Sequence, residues 1–448
     1  MNAPLSPQIS RRSLLQQAAG LGVTVSFLGG SAFAAADGAM AKRKMVVVIC
    51  RGGMDGLTVS PPVGDPDYAA LRGDVAVSPD LALKLDGTFG LHPALESVHA
   101  LALKGQARIA PAIASPDRAR SHFEAQDVLE TGATQAYGVG TGWLNRTLEA
   151  MGPSKIEGLS VGATAPLILR GKVQAASWSP GKGVDETARL PTLLQDLYKA
   201  DPMMGRAFAR GLETEAMAQQ AMTALNPAPI PVSTDATAMA PKAMWRNAVN
   251  TSATPQVMAP PALASAAMPQ NAQAIAGQRP AREAARKLGS TLAGFMVQQG
   301  GPRIAAISLD GWDTHAGQVG QLNSRLSYLD AVLDGLNTGL GDEWSNTVVV
   351  AATEFGRTAR VNGTGGTDHG TGSTALVLGG GLKPGGIIGD WPTLKQEALF
   401  ENRDVRPTLD MRGLFKGVLA EHMGVDRAAL EAKVFPDSAD AKMVTGLV

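Results

Sequence analysis

Short apolar runs, rich in β-branched residues, recur along the chain at Met45–Cys50, Arg108–Ala112, Pro166–Leu169, Arg303–Leu309, Thr347–Ala352 and Thr374–Leu378. Runs of this length without polar alternation predict strands buried on both faces, as in a parallel sheet. Between them lie patterns of helical period: Pro93–Lys104, Ser121–Glu130, Gly142–Met151, Pro202–Leu225, Ala281–Gln299, Gly317–Leu340 and Asp410–Met423. Strands alternating with helices predict an α/β fold, a doubly wound, mostly parallel sheet sandwiched by helices. No internal repeat is evident.

Two stretches depart from that pattern. Ser10-Arg11-Arg12-Ser13-Leu14-Leu15-Gln16 precedes a mildly apolar run from Ala18 to Gly30 and the small-residue stretch Ser31–Ala36. A basic start, a short apolar run and A-x-A sites predict a signal peptide over residues 1–36, and the paired arginines point to twin-arginine export. The apolar run is too short and too broken by Gly, Ser and Thr to anchor in a bilayer. The expected location is therefore periplasmic or secreted, with the twin-arginine translocase as a partner and no stable membrane anchor. That route carries folded proteins and suits a metal loaded before export. The second stretch, 226–278, is rich in Pro, Ala and Met with few charges. It predicts an irregular insertion or mobile cover within one domain spanning residues 37–448, or a Met-lined apolar groove.

About 410 residues follow the leader, ample for one large core. Formal charge is zero over the whole chain, so nothing points to nucleic acid or an anionic membrane surface. The single cysteine, Cys50, permits no intramolecular disulfide and reads as a small core residue.

Ligands of open α/β sheets gather at the carboxyl ends of the strands, and the polar residues of this chain concentrate there. Asp55 lies in the glycine-rich turn after the first strand, as a cation ligand or a plain turn residue. Ser121 opens a helix, either as a nucleophile in the positive field of the helix end or as an N-cap completed by Glu124. Asp310-Gly311-Trp312-Asp313-Thr314-His315 puts two carboxylates and an imidazole on one turn, a set suited to a divalent metal. Glu354, followed by Arg357, offers a further ligand and an anion clamp, or an internal ion pair. Asp368-His369 sits on a glycine-dense loop whose small bulk lets polar groups share an ion. His92, His99 and His422 carry less of a signal.

The order of these residues resembles the alkaline phosphatase superfamily, which includes sulfatases and cofactor-independent phosphoglycerate mutases. The resemblance implies that Asp55 and Glu354 share one metal with Ser121, while Asp310 or Asp313, with His315 and His369, holds another. Asp404-Val405-Arg406-Pro407-Thr408-Leu409 is similar to a late D-x-x-P-T segment of that superfamily. Closer still is the resemblance to the DUF1501 family of twin-arginine-exported bacterial proteins. It rests on Gly52-Gly53-Met54-Asp55-Gly56-Leu57, Arg120-Ser121-His122-Phe123, Gly311-Trp312-Asp313-Thr314-His315, Thr353-Glu354-Phe355-Gly356-Arg357-Thr358 and Gly366-Thr367-Asp368-His369-Gly370. Two features depart from the phosphatase pattern: Glu354 stands where an Asp-His pair is usual, and Asp368-His369 comes 14 residues later. The absence of a C-x-P-x-R motif excludes a formylglycine sulfatase.

Together these readings imply a hydrolase of an anionic phosphate or sulfate ester, on a small or polymeric substrate, dependent on a divalent ion such as Zn or Mn. Arg357, with Arg51 or Arg118, would hold the anion. The alternatives are a non-catalytic binding or accessory protein on the same fold, and a calcium site serving stability alone.

Overall fold

The computed structural model describes residues 23–29, 42–151, 158–160, 166–173, 175–177, 270–298 and 301–448, and only the backbone of 23–29, 158–160, 175–177 and 270–280. The twin-arginine motif, the A-x-A sites, the expected helix Pro202–Leu225 and nearly all of 226–278 lie outside the described residues.

The strands of the main sheet are β1 (Val23–Gly29), β2 (Lys44–Cys50), β3 (Ala107–Ala114), β4 (Gly158–Ser160), β5 (Ala175–Ser177), β6 (Pro302–Leu309), β7 (Thr347–Ala352), β8 (Ser373–Leu378) and β9 (Leu409–Asp410). They form one mixed sheet in the order β9-β3-β8-β7-β2-β6-β1-β4-β5. From β9 to β6 the sheet has six strands, and only β8 runs against the rest. Alternation along β2 divides the core. Val46, Val48 and Cys50 face one layer, and Met45, Val47 and Ile49 face the other. The first layer contains α1 (Glu96–Leu103), α4 (Gln270–Val297) and α5 (Gln318–Leu340); the second contains α2 (His122–Thr131), α3 (Trp143–Ala150) and α6 (Met411–Glu421). The sheet is thus sandwiched by helices, as its doubly apolar strands require.

Two local expectations need correction. Pro166–Leu169 is not a strand: Leu167–Leu169 is a single 3-10 turn, and Ile168 and Leu169 are buried under α2 and α3. A four-residue apolar run carries no period that separates the two forms. Helix α4 starts at Gln270, inside the segment expected to be irregular. Val23–Gly29, within the apolar leader run, is a strand antiparallel to β6 over seven residue pairs, in keeping with the β-branched residues at its start. Among the described residues no helix is long and apolar enough to cross a membrane.

Candidate metal centre

Parallel register brings the carboxyl ends of β2, β6 and β7 level, with Cys50 opposite Leu309 and Ile49 opposite Ala352. β3 runs in the same direction, so the segments after all four strands leave one edge of the sheet. Close approach of these loops depends on glycine at two points. Gly52, at φ +118°, leaves no room for a Cβ, which would stand 2.5 Å from the Asp313 nitrogen. A Cβ on Gly366 would collide with the carbonyl group of His315.

Asp313 and three of the six histidines meet at this edge. Donor atoms of His122, Asp313 and His369 all lie within 4.8 Å of one another. His315 Nε2 closes the group from the solvent side, 3.0 Å from Asp313 Oδ1 and 3.1 Å from His369 Nε2. His369 Nε2 is 3.3 Å from Asp313 Oδ1, and His122 Nε2 is 3.4 Å from Asp313 Oδ2. A tetrahedral ion with bonds of about 2.0–2.1 Å separates its donors by about 3.3 Å, and these four spacings lie near that value, His122 approaching Asp313 Oδ2 and the other two rings Oδ1.

The outward-facing ring nitrogens explain why the inner ones want a cation. His122 Nδ1 lies 2.9 Å from Glu354 Oε1, His369 Nδ1 2.9 Å from the Arg120 carbonyl oxygen, and His315 Nδ1 3.2 Å from Asp368 Oδ1. Each partner is an acceptor, so each neutral ring carries its proton on Nδ1 and presents a bare Nε2 lone pair inward. Two lone pairs 3.1 Å apart, on His315 and His369, cannot bond each other without a proton or an ion between them. His122 Nε2 is buried and has no hydrogen-bond partner. Rings oriented by a carboxylate or a carbonyl are the usual outer support of a metal.

The electrostatics agree. The hydrogen bond to Glu354, aided by Asp313 and opposed by burial, holds the His122 imidazole above its ordinary range. Burial pushes the Glu354 carboxyl up, but His122, the Gly52 N–H and Thr353 outweigh it and hold it down. For Asp313, burial is likewise outweighed by Arg357 and the imidazoles, whereas burial dominates at His369 and lowers it. Asp368 is held low chiefly by Asn362 and His315.

Other expected site residues stand differently. Glu354 is fully buried behind His122 and acts on the centre through that ring. Asp55 is buried in an ion pair with Arg72 and also accepts from Thr58 at 2.8 Å and Gln318 at 2.5 Å. Asp55 and Glu354 thus each have partners of their own, Arg72 and His122, and Asp55 Oδ1 is buried without one. Asp310 is exposed and hydrogen-bonds none of the clustered residues. Ser121 precedes His122 as the N-cap of α2, but its side chain makes no cap bond, so the expected capping box is not formed. Arg357 is not a free clamp: its buried guanidinium donates to Asp313 Oδ1 at 2.8 Å and to the Thr367 carbonyl at 2.6 Å. Arg51 is bonded to Glu130, and Arg118 to the Ser115 and Asp117 carbonyls. Sequence reasoning passes over His122, which lies in the Arg120–Phe123 motif beside Ser121; its signal was an imidazole at the first helical position after a strand end.

No curated protein and no solved structure matches the chain. A family model described as a protein of unknown function, DUF1501, matches residues 42–434, most of the chain, and the protein therefore belongs to the DUF1501 family.

Proposed function

We propose that the protein is an exported metal-dependent hydrolase with one divalent ion held by His122, Asp313 and His369, and by His315 on the solvent side. The observation that carries this reading is the clustering of His122 and His369 ring nitrogens about the Asp313 carboxylate, with His315 Nε2 beside Asp313 and His369 and each ring's Nδ1 facing an acceptor. Three imidazoles and one carboxylate favour zinc over manganese. Such an ion supplies Lewis-acid polarisation of an ester oxygen and a water of lowered pKa. The chain's own residues orient and balance it: Glu354 aligns His122, Asp368 aligns His315, and Arg357 keeps Asp313 ionised. Export through the twin-arginine translocase to the periplasm or beyond rests on Arg11-Arg12 and the leader pattern.

The substrate we favour is still an oxygen-rich ester, phosphate or sulfate. Its charge must be met by the ion, because Arg357, Arg51 and Arg118 all serve internal partners. On this reading the resemblance to alkaline phosphatases is one of residue order, with one ion rather than two, since Asp55 is paired with Arg72. That same ion pair favours, as second reading, a binding or accessory protein that keeps a metal without turnover. Metal-loaded protein and its His369→Ala variant should be screened on phosphate, sulfate and carboxylate esters. Turnover that disappears with His369 supports the hydrolase, while stoichiometric metal without turnover on any ester class supports the binding protein.

A further inference from the structure

His369 takes its orientation from a backbone carbonyl, and that carbonyl belongs to a residue in an unusual conformation. Arg120 has φ +56°, in the left-handed region that a residue with a Cβ rarely adopts. Two more such residues, Glu401 and Asn402 at φ +53° and +56°, lie on the turn it touches. Clustered strain of this kind persists only where neighbouring contacts over-determine it.

Those contacts come from the Arg120 side chain. Its Nε donates to Asp404 Oδ2 at 3.1 Å, and its outer nitrogen lies 2.7 Å from the same oxygen and 2.6 Å from Glu401 Oε2. The two acidic partners are unequal. Glu401 is 56% exposed, where an ion pair is screened and weak, whereas Asp404 is fully buried. Asp404 is itself fixed: Oδ2 accepts from Thr371 at 3.0 Å, and its backbone closes a tight turn with Phe400 through bonds of 2.8 and 3.0 Å. A chain of short contacts thus runs from Asp404 through Arg120 to His369 Nδ1 and ends at the inward Nε2.

We propose that Asp404 is a positioning residue of the metal centre: acting through Arg120, it holds the Arg120 carbonyl where it fixes the His369 ring as an Nδ1–H donor and an Nε2 ligand. The proposal rests on the reading of the cluster as a metal centre. It assigns work to the Asp404-Val405-Arg406-Pro407-Thr408 segment, which the proposed chemistry does not otherwise use. Without the anchor, Arg120 relaxes to an ordinary backbone region, its carbonyl swings away and the ring is free to turn.

Cobalt(II) titration of the metal-free full chain tests this, because the visible absorption of bound cobalt reports ligand geometry. Asp404→Asn and Arg120→Ala should bind cobalt about 10- to 100-fold more weakly than the natural chain, with altered visible bands. Glu401→Gln should match the natural chain. Arg120→Ala removes the anchor and keeps the Cβ that disfavours a positive φ, so it keeps the test open if Asp404→Asn fails to fold, and thermal unfolding of each metal-free variant identifies such a failure. Natural affinity and spectrum in the folded Asp404 and Arg120 variants would overturn the positioning role while leaving the metal centre intact. Failure of the natural chain to bind cobalt would overturn the metal reading and, with it, this proposal.

Discussion

Asp55 and Asp313 come after adjacent parallel strands, both sit in glycine-containing turns, and both meet a fully buried guanidinium, Arg72 and Arg357 respectively. Their remaining neighbours differ. Around Asp55 every further partner is a donor: Thr58 and the amide of Gln318 complete a closed, nearly solvent-free network. Around Asp313 the other neighbours are imidazole nitrogens whose protons point away, and the carboxylate is 43% exposed. The first carboxylate is paired inside the chain through Oδ2, with Oδ1 buried and without a partner, while the second is shared between a guanidinium and three imidazoles. The two are distinguished by their neighbours, hydrogen-bond donors around Asp55 and ring nitrogens around Asp313, and the presence of a carboxylate does not decide the matter. The two regions are also joined, since Arg357 donates to Thr367, Thr367 to Gln318, and Gln318 to Asp55.

The largest effect should come from the buried Asp55–Arg72 pair. Asp55→Ala leaves Arg72 buried and unpaired and should lower stability by about 3–5 kcal/mol in denaturant unfolding. The double change Asp55→Leu with Arg72→Met should recover much of that loss, and both variants should keep metal stoichiometry once folded. Loss of metal in folded Asp55→Ala would erase the distinction between the two carboxylates. Next in size, His369→Ala should weaken metal binding at least about 100-fold, near 2.7 kcal/mol, by equilibrium dialysis, with the metal-free protein hardly destabilised because the ring is partly exposed.

Glu354→Gln should have a smaller effect, about tenfold weaker metal binding, because it keeps an acceptor for His122 but loses the charge. Unchanged affinity would reduce Glu354 to a packing role. The smallest effect is one of slope. Burial lowers His92 and His422 to about 4, so both are neutral in the folded chain. A histidine whose folded pKa is depressed contributes stability above its unfolded value, lost as pH falls toward the folded one. The metal-free protein should therefore weaken as pH drops from about 6.5 toward 4, and His422→Gln should flatten that slope. An unchanged slope would mean that His422 is already protonated in the folded chain.

Much of the scaffold was legible because its strands are buried on both faces: β2, β6 and β7 read as unbroken apolar runs, and the loop leaving each one starts at the same sheet edge. Asp313, His315 and His369 were legible for the same reason. The partition of roles was not. Asp55 finds Arg72 17 residues away, and Glu354 finds His122 232 residues away, distances over which composition and spacing carry no pairing information. Arg357 looked like an anion clamp because a side chain's burial cannot be read from a loop motif. The Pro166 segment failed for a local reason, being too short to show a period.

The central claim, one ion at the His122–Asp313–His369 cluster with His315 on its outer side, is tested most directly by elemental analysis. The measurement is metal content per chain of the folded protein, reconstituted with zinc and with manganese and dialysed, beside His369→Ala treated identically. About one equivalent in the natural chain, lost in the variant, is the expected result. A natural chain that stays metal-free after both reconstitutions, or a variant that retains the full equivalent, would contradict it.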